Sequence, residues 1–230
     1  MYLTSLLAAN DYVGMSFWLA TAIMLASTVF FFIERSDVNA KWKTSMTVAG
    51  LVTGIAFWHY LRMSDMNAAG EVTTVYRYVD WLITVPLQIV EFYLILLAVT
   101  AVSSGLFWRL LGASLVMLVF GFLGEAGLMN STIAFIPGMA GWLYILYEIF
   151  SGEAASLSAS SKNPGGQFAF NTLRIIVTAG WAIYPIGYFL GYLAGGTDMD
   201  TVNIIYNVAD LVNKTAFGLA IWAGAKMDSK

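Results

Sequence analysis

The segment RYVDWLITVPLQIVE, from Arg77 to Glu91, carries an arginine, an aspartate, a glutamine and a glutamate in a stretch otherwise apolar enough to cross a membrane. Each charged residue near the middle of a membrane helix costs about 2.5–3.5 kcal/mol on insertion scales. Three of them together approach the net stability of an ordinary domain, about 5–15 kcal/mol. Such residues persist in a membrane helix only where they are paired, neutralised or used in a function, and the rest of the chain indicates which of these applies.

The composition of the whole chain is that of a membrane protein. Hydrophobic residues make up 59% of its 230 residues and charged residues 11%, against about 25% in soluble domains. Cysteine is absent, which excludes disulfides, thiolate metal sites and cysteine nucleophiles. The single histidine, His59, argues against a histidine metal cluster, so no metal site is expected. The net charge of −3, with no long basic run, gives no reason to expect nucleic acid as a partner.

Seven stretches of the chain reach the length of about 20 mostly apolar residues that a membrane helix requires. They cover roughly residues 12–34, 43–63, 72–98, 105–128, 132–152, 168–194 and 200–226. Polar or glycine-rich segments separate them, and the longest, SGEAASLSASSKNPGGQ, is predicted to be a flexible loop. Nearly the whole chain lies in these spans. We therefore predict an all-α membrane protein, a seven-transmembrane helix bundle that forms a single domain over residues 1–230.

The distribution of lysine and arginine predicts the orientation of the bundle, because these residues favour the cytoplasmic ends of membrane spans. The odd-numbered connections and the C-terminus hold Arg35, Lys41, Lys43, Arg109, Lys162, Arg174, Lys226 and Lys230. The other connections hold Arg62 together with the acidic residues Asp65, Glu71, Asp198 and Asp200. The N-terminus is therefore expected outside and the C-terminus in the cytoplasm.

Five polar residues of the third span recur at helical spacing. Arg77, Asp80, Thr84, Gln88 and Glu91 follow one another at intervals of 3, 4, 4 and 3 residues, so they share one helix face. Such a face can simply pack against neighbouring helices, but two carboxylates and a guanidinium exceed what packing requires. Asp80 and Glu91 are separated by about 16 Å along the axis. The pattern places two acid–base groups on opposite sides of the membrane midplane.

A lysine lies near the centre of the seventh span, NIIYNVADLVNKTAFGLAIW. Lys214 is too far from either end to reach the interface easily, and Asp210 lies one turn before it on the same face. The pair can be a structural ion pair that locks helices together. Alternatively, a lysine amine in a dry pocket can condense with an aldehyde to form a Schiff base, whose positive charge then requires a carboxylate counter-ion.

Several segments together resemble the microbial rhodopsins and, among them, the proteorhodopsins. DLVNKTAFG is similar to the retinal-attachment segment of that family, and RYVDWLITVPLQIVEFYLIL resembles the third helix of proteorhodopsins. WAIYPIGY in the sixth span is similar to the aromatic helix that packs the retinal. GIAFWHY, SFWLATA and FLGEAGLMN also resemble proteorhodopsin segments, so the resemblance covers essentially all seven spans.

The resemblance implies a chromophore and a route for protons. Lys214 is expected to hold all-trans retinal as a protonated Schiff base, with Asp80 and Asp210 as the counter-ion complex organised by Arg77. After light isomerises the retinal, Asp80 is expected to accept the Schiff-base proton, and Glu91 to replace it from the cytoplasmic side. The Asp–Thr–Glu set along the third helix is the one that similar proton pumps carry.

The resemblance also assigns roles to three polar or aromatic residues outside this set. Gln88 implies blue rather than green absorption, although a plain hydrogen bond between helices is the alternative for this side chain. His59 is expected to pair with Asp80 and to tune when that carboxylate accepts a proton. Trp18 matches a residue that reaches a neighbouring protomer, which implies a homo-oligomer, a pentamer or a hexamer.

The expected retinal pocket consists mostly of aromatic residues, which at helical spacing are also ordinary bundle core. Its members are Thr84, Trp81, Trp181, Tyr184, Pro185 and Tyr206. Tyr206 is further expected to hydrogen-bond the counter-ion group. Glu125, near the outer end of the fourth span, is expected either to line the proton exit path or to be a solvated interfacial carboxylate.

The sequence thus predicts a blue-absorbing, light-driven outward proton pump of the proteorhodopsin type, a transporter rather than an enzyme, in the inner membrane of a bacterium. A sensory photoreceptor that signals to a membrane partner is one alternative, and Glu91 argues against it because such sensors often lack the donor carboxylate. The other alternative is a receptor or transporter that works without light, with Lys214 in a structural ion pair. That alternative predicts no visible absorption after retinal is added.

Overall fold

The computed structural model describes residues 7–196 and 198–229, and within them all regular secondary structure is helical. Seven long helices and one short helix follow one another along the chain. They are α1 Tyr12–Glu34, α2 Lys43–Ala68, α3 Thr74–Val99, α4 Ser104–Glu125, α5 Ser131–Phe150, α6 Glu153–Ser160, α7 Pro164–Leu193 and α8 Met199–Met227. Each predicted span falls on one long helix, so the prediction of a seven-helix bundle is confirmed.

Short polar side chains mark where four of the long helices begin. Asp11 accepts a hydrogen bond from the backbone N–H of Gly14, and Asn130, Asn163 and Asp198 cap α5, α7 and α8 in the same way. Each cap satisfies an N–H group that the first helical turn leaves without an acceptor. These residues therefore define the ends of the spans.

The connection after α5 differs from its prediction as a flexible loop, since residues 153–160 form the helix α6. Arg109 of α4 fixes this connection by contacting two carboxylates. Its Nε lies 2.8 Å from Oε1 of Glu148, and its Nη2 lies 2.6 Å from Oε2 of Glu153. Ser103 also donates a hydrogen bond to Glu153 at 2.8 Å. The polar composition suggested flexibility because an ion pair to another helix leaves no signal in the local sequence.

The surface of the bundle is apolar and its interior carries charges, the reverse of a soluble protein. Large side chains such as Trp58, Trp108 and Ile136 are 66–69% exposed. Five helices of the described part of the chain, α1, α3, α4, α5 and α7, are long and apolar enough to cross a membrane. Helices α2 and α8 have the length, but they carry more polar and charged residues. This pattern fits a bundle with lipid outside and a functional polar interior.

Helix α7 departs from regular α geometry on both sides of Pro185. Residues Ile176–Gly180 and Phe189–Leu193 form π-helical turns. Proline lacks an N–H group, and the carbonyl of Trp181 accepts instead from the N–H of Tyr184 at 3.1 Å. The carbonyl of Gly180 likewise accepts a hydrogen bond from a side chain of α8, described below. Such π turns occur often at functional sites.

The end of α8 is joined to two other parts of the chain through one carboxylate, that of Asp228. Its oxygens accept hydrogen bonds from the indole N–H of Trp42 at 2.7 Å and from the side-chain amide of Asn163, and Lys41 lies 2.6 Å away. We call this end of the bundle, which holds the C-terminus, the inner end, and the opposite end the outer end.

Candidate functional site

The centre of the bundle contains a lysine between two carboxylates. The amine of Lys214 donates hydrogen bonds to Oδ2 of Asp80 on α3 and, at 3.1 Å, to Oδ2 of Asp210 on α8. The lysine is 2% exposed and both carboxylates are fully buried. The structure therefore brings together the three residues that the sequence placed in a chromophore and counter-ion site.

The two carboxylates differ in how their remaining oxygens are satisfied. Asp210 accepts hydrogen bonds from the hydroxyls of Tyr60 at 2.8 Å and Tyr184 at 2.6 Å, and from the indole N–H of Trp81 at 3.1 Å. Oδ1 of Asp80, in contrast, is buried and has no hydrogen-bond donor. Asp210 is thus surrounded by donors, which favour the charged form of a carboxylate, while Asp80 keeps a free oxygen.

His59 approaches this free oxygen without forming a hydrogen bond to it. Its Nδ1 lies 3.6 Å from Oδ1 of Asp80 and 2.9 Å from the backbone carbonyl of Ile55. Because a carbonyl oxygen only accepts, Nδ1 carries the proton in this arrangement. The expected His59–Asp80 pair is thus a close approach within ion-pair distance, with the hydrogen bond going to Ile55.

Arg77 lies beyond the carboxylates on the outer side and reaches them through another residue. Its guanidinium donates to the hydroxyl of Tyr60 at 3.1 Å, to Asn207 at 2.9 Å and to Asn203 at 3.1 Å. Tyr60 in turn donates to Asp210. The expected organisation of the counter-ion by Arg77 therefore runs through a tyrosine that the sequence analysis missed.

The polar residues in the inner part of α3 are buried, and most of their polar atoms have no hydrogen-bond partner. The hydroxyl of Thr84 donates to the carbonyl of Asp80 at 3.0 Å. Nε2 of Gln88 and both carboxyl oxygens of Glu91 are buried with no hydrogen-bond partner. The hydroxyl of Ser45 on α2 faces Glu91 without meeting the geometry of a hydrogen bond. The missing partner of Gln88 argues against the alternative that it serves to join two helices.

A cavity lies between α3, α4, α5 and α7, next to the carboxylate site. Its walls are almost entirely apolar and aromatic. The lining residues are Tyr78, Trp81, Val85, Met117, Leu118, Gly121, Glu125, Ala134, Phe135, Gly138, Met139, Trp142, Trp181, Tyr184, Pro185 and Tyr188. Four of the expected pocket residues are among them. The side chains of Trp81 and Tyr184 connect the cavity to the site, because both also donate to Asp210.

Two expected pocket residues, Thr84 and Tyr206, do not line this cavity. The hydroxyl of Tyr206 donates to Oε1 of Glu125 at 2.9 Å, so the expectation that it bonds the counter-ion group is wrong. Tyr78 donates to the same oxygen at 3.0 Å. Glu125 is therefore bound by two tyrosines, which argues against a simply solvated interfacial carboxylate.

The face of α8 that carries the site also holds asparagines, which the sequence analysis did not assign. Asn203, Asn207, Asp210 and Lys214 follow at intervals of 4, 3 and 4 residues, a helical spacing that could have identified them. Nδ2 of Asn213 donates to the carbonyl of Gly180 in the π turn at 2.9 Å. A side chain on Gly180 would collide with this amide, so glycine permits the close approach of α7 to α8.

Trp18 lies half-buried on α1, in a shallow groove towards α2 at the outer end. The groove is lined also by Asp11, Ser64 and Asp65. Its position on the outside of the bundle is compatible with a contact to another protomer, and the contact itself stays a prediction.

The fold and this site have the features of one class of membrane protein, and comparison identifies it: the chain belongs to the bacteriorhodopsin-like protein family, whose model matches residues 11–227. Among known proteins it is similar to the green-light absorbing proteorhodopsin of Gamma-proteobacterium EBAC31A08, with 57% identity over 97% of this chain and 90% of the relative. It is equally similar to the blue-light absorbing proteorhodopsin of Gamma-proteobacterium Hot 75m4, with 57% identity over 96% of this chain and 88% of the relative.

Solved structures agree with the fold. The crystal structure of blue light-absorbing proteorhodopsin from Med12 is 63% identical, with a TM-score of 0.82 over 93% of this chain and 98% of that one. Xanthorhodopsin, described as a light-driven ion pump with dual chromophore, is 28% identical, with a TM-score of 0.83 over 97% of this chain and 96% of that one. The resemblance seen in the sequence is thus confirmed at the level of the family.

Proposed function

We propose that this protein is a light-driven outward proton pump that binds all-trans retinal covalently at Lys214. The observation that carries the proposal is the buried amine of Lys214 between Asp80 and Asp210, with an unpartnered carboxyl group, Glu91, further along the same helix as Asp80. Membership of the bacteriorhodopsin-like family and the similarity to proteorhodopsins support it.

The residues present fit retinal. Small-molecule sites are lined mostly by apolar and aromatic side chains, and the walls of this cavity are of that kind, which suits a polyene. Lys214 supplies the amine, and the carboxylates of Asp80 and Asp210 balance its charge. Linked to Lys214, retinal supplies the absorption of visible light and an isomerisation that changes the proton affinity of the lysine nitrogen.

Asp80 is the proposed proton acceptor because it keeps an oxygen without a hydrogen-bond donor. Asp210, with three donors besides Lys214, is the proposed permanent counter-ion. The amine of Lys214 contacts Asp80 in this structure, so this carboxylate would be the one placed to take a proton from that nitrogen. His59 lies 3.6 Å from the free oxygen and is proposed to tune its readiness to accept the proton.

Glu91 is the proposed donor that restores the proton. A buried carboxylate without a partner is expensive, so this carboxyl group is expected to hold its proton at rest. It lies about 16 Å along the axis from Asp80, on the inner side. With the inner end in the cytoplasm, as the basic residues predict, protons enter past Glu91 and leave past Asp80, which gives export.

The outer side offers a route for release. Arg77 lies between the carboxylate site and the outer end, and its cation faces the ring of Tyr206 at 5.5 Å. Tyr206 donates to Glu125, which is proposed to line the exit path. This places a positive group and a carboxylate in succession on the outer side of Asp80.

Blue absorption is proposed from Gln88 alone, because relatives named for green and for blue light are equally similar to this chain. An unpartnered, buried amide is free to direct its dipole toward the chromophore. The proposed assembly is a single seven-helix domain over residues 1–230 that forms a homo-oligomer in the bacterial inner membrane, with Trp18 at the interface.

Regeneration with all-trans retinal tests the site. The purified protein is expected to gain a visible absorption band, and Lys214→Ala is expected to abolish it. Lys226→Ala is the matched control, because this lysine lies on the same helix but pairs with Glu34 at 3.2 Å, and it should keep the band. A visible band in Lys214→Ala would refute the attachment site, and no band in the native protein would favour a function without light.

A further inference from the structure

Arg174 on α7 is a half-buried cation that the pumping mechanism does not use. It lies ten residues after Pro164 at the inner end, which is about 15 Å along the helix axis. Its guanidinium carbon lies 4.7 Å from the ring centroid of Phe150, at the inner end of α5. Its Nε is buried and has no hydrogen-bond partner. The side chain therefore extends toward the inner end of the bundle, beside the end of α5.

Three other cations at the inner end are paired with carboxylates. Within the described residues Arg35, Lys43 and Lys162 are not, and Arg174 differs from them in its buried Nε without a hydrogen-bond partner. Arg109 contacts Glu148 and Glu153, Lys41 contacts Asp228, and Lys226 contacts Glu34. Among residues 7–196 and 198–229, no carboxylate oxygen lies within 4.0 Å of the Arg174 guanidinium. A guanidinium at this depth needs an anion, and the described part of the chain does not supply one.

The surface of α5 and α7 beside Arg174 is apolar and exposed. Phe150 is 46% exposed, Tyr147 one turn before it is 58% exposed, and Ile175 is 62% exposed. Toward the membrane centre the two helices are joined where the indole N–H of Trp142 donates to the carbonyl of Val177 at 3.0 Å. A cation beside an exposed apolar surface is complementary to a molecule with an anionic head and a hydrocarbon chain.

We propose that this surface binds an anionic phospholipid of the inner leaflet, with its phosphate on Arg174 and one acyl chain along α5 and α7. A guanidinium binds phosphate oxygens through two parallel N–H groups, and basic sites between membrane helices on the cytoplasmic side recognise anionic headgroups. The apolar surface selects a lipid over a free anion. The lipid neutralises the charge that the protein leaves unpaired.

The test is lipid selection by the full chain in nanodiscs of phosphatidylcholine with a minor fraction of phosphatidylglycerol. Native mass spectrometry then measures the ratio of phosphatidylglycerol to phosphatidylcholine retained on the protein. The native chain is expected to enrich phosphatidylglycerol, and Arg174→Gln to lower the enrichment about fivefold. Lys162→Gln, which removes the same charge from an exposed site next to the start of α7, should change it less than twofold.

Two further variants separate the charge from folding. Arg174→Lys keeps the charge and is expected to retain part of the enrichment, since it loses the bidentate geometry. Arg174→Met replaces the side chain by an apolar one suited to a lipid-facing helix, and should behave like Arg174→Gln with unchanged helix content by circular dichroism. Equal enrichment in the native chain and in both neutral variants overturns the proposal. Equal loss in Lys162→Gln also overturns it, as does complete displacement of the lipid by inorganic phosphate.

Discussion

The unpartnered carboxyl group of Glu91 predicts a conflict between stability and function. A buried polar group without a hydrogen bond costs about 1–3 kcal/mol of folding free energy. Glu91 is fully buried and neither of its oxygens has a partner. Replacing it by leucine removes this cost, so Glu91→Leu is expected to raise the free energy of unfolding by about 1–3 kcal/mol.

The control for this prediction is Glu91→Gln, which keeps a buried polar group of similar size. Its amide is expected to stay unsatisfied, so the free energy of unfolding should change by less than about 1 kcal/mol. Both variants remove the proposed proton donor and should slow the return of the proton after a light flash to a similar extent. Stability and proton return are thereby separated.

Equilibrium unfolding of the retinal-free protein in increasing fractions of sodium dodecyl sulfate, followed by circular dichroism, measures the stability change. A Glu91→Leu variant that is less stable than the native chain by more than about 1 kcal/mol would contradict the reasoning. It would mean that Glu91 has a partner, for which Ser45 is the nearest candidate. A double-mutant cycle of Glu91→Leu with Ser45→Ala should then give a coupling energy near zero if the account is right.

Three further predictions concern other parts of the molecule. Gln88→Leu is expected to move the absorption maximum of the retinal-loaded protein to longer wavelength, and an unchanged spectrum would exclude Gln88 from colour tuning. Tyr184→Phe removes the 2.6 Å hydrogen bond to the charged Asp210 and should lower the free energy of unfolding by about 1.5–3 kcal/mol. The control is Tyr188→Phe, which loses a hydrogen bond to a neutral carbonyl. An equal effect in the two variants would show that Asp210 is not charged. Burial alone would raise the pKa of Asp228, but hydrogen bonds from Lys41, Trp42 and Asn163 outweigh it and hold the pKa below the ordinary value of 3.8. The stabilisation of the folded state by Asp228 is therefore present above about pH 4 and lost as the pH falls through the lowered pKa. In thermal melts, Asp228→Asn should have a lower melting temperature than the native chain at neutral pH and a much smaller difference near pH 2.

The parts of the structure that the sequence predicts well depend on local spacing. The stripe from Arg77 to Glu91 and the pair of Asp210 and Lys214 are each set by the period of a single helix. Once two such faces are known, both must turn inward, because a charge facing lipid is costly. The meeting of Asp80 with Lys214 follows from that requirement and is found in the structure.

The contacts that the sequence does not predict are those between side chains of different helices, because they depend on which helix packs against which. Tyr206 lies one turn before Asp210 on α8, and the resemblance to similar proteins implied a bond to the counter-ion. Its hydroxyl extends sideways to Glu125 on α4 instead. Tyr60, which does donate to Asp210, comes from α2 and has no helical spacing to either carboxylate. A rotation or shift of one helix by a fraction of a turn decides such contacts, and no periodicity within one helix reports it.

The most direct test of the central claim is the external pH of illuminated cells that express the protein with all-trans retinal. An outward proton pump should acidify the medium in the light, and the acidification should be abolished by a protonophore and absent in Lys214→Ala. Asp80→Asn is expected to stay coloured but to move no protons. A coloured native protein that leaves the external pH unchanged, or raises it, would contradict an outward proton pump.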